Sequence, residues 1–323
     1  MQPPCFVHAT VVLTLGKLGL CLAGLRLLPL TILALLGFAA NSILTRAAIH
    51  GDHLDAWMFM LVRLLTGAGM LWLLVALRGA PEKASGVSSL SSWRMALWLT
   101  GYAVLFTIAY VRIEAGPGAL LLFGSVQLTM FGAALARGER LSVRHGIGVA
   151  LALAGFLVLT LPGLSAPDPV GAVLMAGAGA CWGAYSLEGR GADDPLGATA
   201  HNFLRAWLIG GLVALAATAL GQTGLTTGPH TLTGLGLATA SGAIASGLAY
   251  AAWYAVLPAL PVWRAATVQL AVPILTALAA TIFLGERLSW RLIAAMVLVV
   301  AGIGLATTSR ANHNRHGISG RRQ

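Results

Sequence analysis

The chain has 323 residues, of which 58% are hydrophobic and only 9% charged, with a formal net charge of +10 at neutral pH. A mean hydropathy of +0.83 excludes a soluble globular mixture. Three cysteines with no CxxC spacing suggest neither a disulfide framework nor a zinc site.

Long uncharged runs fill the sequence, and a bilayer core needs roughly 20 apolar residues per helix. The runs are continuous rather than alternating, so helices rather than barrel strands satisfy the backbone in lipid. The pattern predicts an all-α polytopic membrane protein with ten transmembrane helices near 27–47, 57–78, 94–113, 116–136, 145–162, 169–188, 202–220, 231–251, 265–284 and 290–308.

Residues 1–26 form an apolar extension interrupted by Lys17 and ending at Arg26. A signal-like segment, an interfacial helix and an over-long gene start all fit it, and it has no counterpart later in the chain. Span 1 carries Asn41 and Ser42 among small residues, which suits either close helix packing or a cavity-facing amide. The following loop, with His50, Asp52, His53 and Asp55, reads as solvated rather than metal-binding. No metal or cofactor is expected.

Span 2 places Arg63 about two turns in, and span 7 does the same with Arg205. Ionisable groups at that depth are costly and serve a path or a partner, so a lock on the fold and a substrate contact are equally weighted. Spans 3 and 4 are joined so tightly, through Arg112, Glu114 and Gly116, that they must be antiparallel. They contain Tyr102, Thr107, Tyr110, Ser125 and Gln127, the last an amide needing a partner at mid-span. Trp182 and Tyr185 share a face of span 6. In span 8 Tyr250 lies deep enough to line a ligand site, whereas Trp253 and Tyr254 read as interfacial belt residues. Span 9 holds Gln269 and Pro273, and a proline there is expected to bend the helix.

The pentapeptide GERLS occurs twice, at Gly138–Ser142 and Gly285–Ser289. Overlaying residues 135–160 on 282–307 matches ten of 26 positions, including Ala154/Ala301 and Gly155/Gly302. Upstream, Asn41–Arg46 falls against Tyr185–Arg190 and Leu61–Arg63 against Phe203–Arg205, in the same order. The chain therefore reads as a duplication, residues 27–162 and 168–309, followed by a basic tail at 310–323. With five helices in each half, the copies must cross the membrane in opposite senses, an inverted repeat of the kind found in secondary transporters. Glu139 and Glu286 are expected to cap helices or pair with arginine.

With the N-terminus inside, fourteen Lys and Arg fall in inside segments and four, Arg46, Arg112, Arg287 and Arg291, outside. That bias places both termini in the cytoplasm, and explains the positive charge by contact with anionic lipid rather than nucleic acid. The ten acidic residues all lie in loops or near span ends, and no HExxH, GxSxG or GxxxxGK[ST] occurs, so an enzyme is not expected.

The ten-span plan, the duplicated unit, Arg63 and Arg205, and the repeated GlyGluArgLeu resemble the drug/metabolite transporter superfamily, specifically the EamA-domain carriers. The resemblance covers residues 27–309. It implies a bacterial inner-membrane carrier that exports or imports a small metabolite, or exports a drug, by alternating access, and export is the direction expected here. Its cavity would be lined by the first, third, fourth, sixth, eighth and ninth helices. Position by position this implies Asn41, Tyr110, Gln127, Trp182, Tyr185, Tyr250 and Gln269 as substrate-binding residues, with Arg63, Arg205, Pro273, Glu139 and Glu286 structural or gating. Expected partners are a small-molecule substrate and membrane lipid, with a homodimer left open. A flippase-like lipid handler or a non-transport membrane component is the alternative.

Overall fold

The computed structural model describes residues 5–79, 89–136, 138, 143–161, 166–189, 194–221, 231–260, 265 and 268–316, with the side chains of 5–26, 89–91, 258 and 307–316 outside that description. The described residues are helical, with no strand. In chain order the helices are α1 (Cys5–His50), α2 (Ala56–Arg78), α3 (Ser89–Arg112), α4 (Ala115–Ala136), α5 (Val143–Thr160), α6 (Pro169–Gly189) and α7 (Pro195–Ala219). They are followed by α8 (Leu232–Val256), α9 (Ala271–Phe283) and α10 (Trp290–His316). Among the described residues, eight helices are long and apolar enough to cross a membrane, counting Leu27–His50 of α1, and Ala271–Phe283 and Trp290–Ala306 are shorter apolar helices.

Two local features shape the later spans. Across the expected span 265–284 the described residues 265, 268 and 269 are helical, Leu270 is a turn, and Pro273 is the third residue of α9. Its missing N–H removes the bond that a helical residue here would make to the Gln269 carbonyl, so the helix is interrupted at Leu270, as expected of a proline within the span. Helix α8 winds through a π-helical turn at Ala243–Leu248, a widening that hydropathy does not signal.

The loops are held by caps. Asp55 accepts from the N–H groups of Trp57 and Met58 at 2.9 and 3.3 Å and so starts α2. The His53 carbonyl in the same loop accepts the Thr231 N–H and hydroxyl, joining that loop to the start of α8. Gly138 and Gly285, which open the two GERLS copies, both have positive φ (80° and 68°), a conformation open to glycine. Ser289, which closes the second copy, caps α10 by accepting from Leu292 N–H.

Packing pairs the helices in a regular way. Helix α1 packs on α8 and α9, as α6 packs on α3 and α4; α2 packs on α8, as α7 packs on α3. Helices α2 and α7, α4 and α9, and α5 and α10 pair with each other. In the last pair Gly148 faces Gly302 and Ala306, while Gly155 faces Ala295 and Val299, so α5 and α10 run antiparallel. Arg291 Nη1 donates to the Leu161 carbonyl at one end of this pair. Small residues allow such contacts in lipid, where helix association rests on van der Waals packing rather than on the hydrophobic effect. Large apolar side chains such as Leu73, Leu157, Leu212 and Val297 are left on the outside, as a lipid-facing surface requires.

Candidate functional site

The centre of the bundle is an aromatic cluster. On α3, Tyr102, Phe106 and Tyr110 stand four residues apart, with neighbouring ring centroids 5.2 and 4.7 Å apart. Trp182 of α6 stacks on Tyr185 at 5.4 Å and packs against Tyr102 at 5.2 Å and Tyr250 of α8 at 4.9 Å. Phe38 of α1 packs on Tyr250 and Trp253 at 5.7 and 5.9 Å. Each such pair adds about 0.5–1.5 kcal/mol beyond burial.

Two narrow cavities flank Trp182, which lines both. One, of about 10 Å³, is lined by Phe38, Asn41, Ser42, Tyr102, Phe106, Leu122, Phe123, Trp182 and Tyr250. The other, of about 20 Å³, has Met130, Trp182, Ser186, Trp253, Tyr254, Leu257, Ala265 and Gln269 in its wall. The lining comes from α1, α3, α4, α6, α8 and the segment before α9, so both halves of the sequence contribute. The indole of Trp182 is thus a wall shared by the two cavities, each with room for no more than about one water.

Beside the first cavity lies a polar chain. Asn41 Nδ2 and Arg63 Nη2 both donate to the Tyr102 hydroxyl, at 3.2 and 3.0 Å. Ser241 donates to Asn41 Oδ1 at 2.7 Å, and Arg63 Nε donates to Ser246 Oγ, in the π-helical turn, at 3.3 Å. Arg63 is 1% exposed, and its guanidinium sits over the rings of Tyr102 and Phe106 at 5.2 and 4.9 Å. A desolvated cation–π contact contributes about 2 kcal/mol.

A third, open cavity of about 460 Å³ lies at the end of the bundle carrying the α1–α2, α3–α4 and α9–α10 turns. Arg46, His50, His53, Glu114 and Glu286 line it. Glu286 accepts from Ala115 N–H with both oxygens at 2.9 Å and from Gly116 N–H at 3.3 Å, so it caps α4. It also pairs with Arg46 at 3.7 Å, and Arg46 Nη1 donates to the Tyr110 carbonyl at 2.7 Å. Partial desolvation, and then the negative charge of Glu286, hold the Glu114 carboxyl above the usual carboxylate range. At the opposite end, Arg94 pairs with Glu188 at 2.8 Å and Arg78 with Asp194 at 2.9 Å.

Of the residues singled out from the sequence, the structure brings Asn41, Trp182, Tyr250 and Gln269 onto the two central cavities, with Tyr185 stacked behind Trp182. Tyr110 and Gln127 are buried but line neither cavity. Arg205 does not repeat the setting of Arg63: it is half-buried, over the Trp93 ring at 5.2 Å. Glu139 lies outside the described residues. The belt reading of Trp253 and Tyr254 gives way, since Trp253 is 5% exposed and both line a cavity. Phe38, Tyr102, Phe106 and Ser246 were not among the candidates. The i, i+4, i+8 run of Tyr102, Phe106 and Tyr110 was the available signal, one aromatic face of a single helix.

Comparison with known proteins agrees with this architecture. Residues 169–308 match the EamA-like transporter family. An uncharacterised protein of Pseudomonas aeruginosa is 47% identical over 287 residues, 88% of this chain and 96% of the relative. The threonine/homoserine exporter RhtA of Salmonella typhimurium is 30% identical over 69% of this chain and 70% of its own. A protein of the same species named a probable amino-acid metabolite efflux pump is 28% identical over 62% and 70%. A solved crystal structure superposes with a TM-score of 0.65 over 87% of this chain and 96% of that one, at 20% identity, which speaks for the fold alone. The apolar helices and these relatives lead to one conclusion: the chain is a multi-pass membrane transporter belonging to the EamA-like family of the drug/metabolite transporter superfamily.

Proposed function

We propose that this protein exports a small amino-acid-like metabolite across the bacterial inner membrane by alternating access at the Trp182 site. The observation that carries the reading is the partition: Trp182 lines two nearly closed cavities whose walls come from both halves of the chain. The two cavities differ in position, one towards the turns around Glu286 and the other towards the segment before α9. Opening either side in turn while the indole holds the other shut is what a carrier requires.

Helix pairing supports ten spans arranged as two inverted five-helix repeats. Under the overlay, Gly148 corresponds to Ala295 and Gly155 to Gly302. The contact between Gly148 and Gly302 therefore has the Gly155–Ala295 contact as its counterpart, as a two-fold relation in the membrane plane demands. The basic-residue bias supports cytoplasmic termini, which makes the open 460 Å³ cavity a periplasmic vestibule. Export of amino acids is favoured by the names of the two Salmonella relatives, an amino-acid metabolite efflux pump and a threonine/homoserine exporter.

The test is counterflow of labelled L-threonine, L-homoserine and L-phenylalanine in proteoliposomes containing the full-length protein. Saturable, protein-dependent exchange of at least one is expected. Absence of exchange for all three, together with scrambling of a fluorescent phospholipid, would replace the carrier reading with the lipid-handling one.

A further inference from the structure

We propose that Arg63 is the anion anchor of the transport site, its guanidinium taking the carboxylate of the transported solute; this rests on the carrier reading of the central site. An arginine buried in a membrane bundle requires compensation for its charge. The ion pairs among the described residues join Arg46, Arg78, Arg94 and Arg112 to carboxylates, and none of them involves Arg63. Its partners are two neutral hydroxyls and two ring faces, and its Nη1 is buried without a hydrogen bond. Rings and hydroxyls orient a cation but do not neutralise it. A guanidinium fork is the side chain whose geometry matches a carboxylate.

The place for that carboxylate is marked by the Tyr102 hydroxyl. Its oxygen receives Arg63 Nη2 and Asn41 Nδ2 together, as a carboxylate oxygen would. Tyr102, Asn41 and Phe106 are wall residues of the central cavity, so the guanidinium stands one side chain behind it. Turning the Tyr102 ring aside as the cavity opens puts Arg63 and Asn41 in direct reach of a solute. The rest of the wall, Phe38, Trp182 and Tyr250, presents aromatic faces suited to an organic body or an ammonium group. An inorganic anion would leave those faces unmatched, which is why the geometry points to an organic carboxylate. The backbone fixes the anchor in place: a Cβ on Gly242 would strike the Arg63 carbonyl oxygen, so α2 and α8 meet at this residue.

Equilibrium binding to the purified full-length protein tests the assignment, using L-threonine and L-phenylalanine, each beside its carboxamide. The amide keeps the ammonium and side chain and lacks the negative charge. Wild-type protein is expected to bind at least one acid about tenfold or more tighter than its amide, the scale of a charge-assisted hydrogen bond. Arg63→Gln should bring that ratio close to one, and Arg63→Lys, which keeps the charge without the fork, should leave it intermediate. An arginine that only braces α2, α3 and α8 would, when replaced, weaken acid and amide alike, so an unchanged ratio in Arg63→Gln overturns the proposal. Equal wild-type affinity for acid and amide, or no binding of any of the four, overturns it as well. If Arg63→Gln does not fold, the wild-type ratio and Arg63→Lys decide. Failure of counterflow with the acid preference intact would sink the carrier reading while leaving the anchor; counterflow without acid preference would do the reverse.

Discussion

Gly148 on α5 and Gly302 on α10 meet backbone to backbone: a Cβ on either would run into the carbonyl oxygen of the other. Neither carbonyl can move without opening its helix. Gly302→Ala is therefore expected to destabilise the protein by about 3 kcal/mol, the upper end for overpacking. Gly304→Ala, where a Cβ would meet nothing within 4 Å, should leave the melting temperature unchanged. Equal thermal stability of the two variants would refute the contact.

Trp182 is in contact with Phe38, Tyr102, Tyr185 and Tyr250 at once. Trp182→Ala should abolish counterflow while membrane insertion stays normal, and Trp182→Phe should keep part of it. Gln269→Ala, in the wall of the second cavity, should also lose flux. Wild-type exchange in both Trp182→Ala and Gln269→Ala would remove the site assignment.

Glu286 caps one helix and neutralises Arg46 at the same time. Glu286→Ala leaves two N–H groups of α4 without their acceptor and the largely buried Arg46 guanidinium without its carboxylate partner. The cap alone is worth about 1 kcal/mol, so a lowered melting temperature is expected, with Glu286→Gln intermediate because it keeps one oxygen. A melting temperature equal to wild type in Glu286→Ala would contradict this role.

Glu114 gives the vestibule a pH dependence whose sign follows from its raised pKa. The folded protein holds that proton to a higher pH than the unfolded chain does. Stability therefore falls as pH rises from the ordinary carboxylate range through the raised folded value. Below that window the carboxyl is protonated in both states and contributes no such slope. Melting curves of wild type and Glu114→Gln should run together at the acidic end and separate as pH rises through the window, with the variant losing less. Parallel curves throughout would show that Glu114 does not titrate there.

Under the proposed inverted arrangement, residues 163–167 and the C-terminal tail are expected on opposite sides of the membrane. In a background with Cys5, Cys21 and Cys181 replaced by serine, Ser165→Cys should react with an impermeant maleimide from the periplasmic side. Ser319→Cys should react only after the membrane is opened. Labelling of both from one side would show that the halves are not antiparallel.

The sequence alone determined the solvent, the class and most helix positions, because lipid demands an uncharged run wherever the backbone must hydrogen-bond to itself. It also carries the GERLS copies on which the proposed duplication rests, whose opening Gly138 and Gly285 both have positive φ. What it could not decide is which face of each helix turns inward, since in lipid an apolar outward face and an apolar core face look alike. Arg63 and Arg205 hold matching places in the overlay, yet only Arg63 is sealed between α2, α3 and α8. Glu286 similarly caps α4, a helix 171 residues back in sequence, rather than the one that follows it. Only the tertiary structure brings such partners together, because contacts between distant segments depend on helix rotation and crossing, which local hydropathy does not encode.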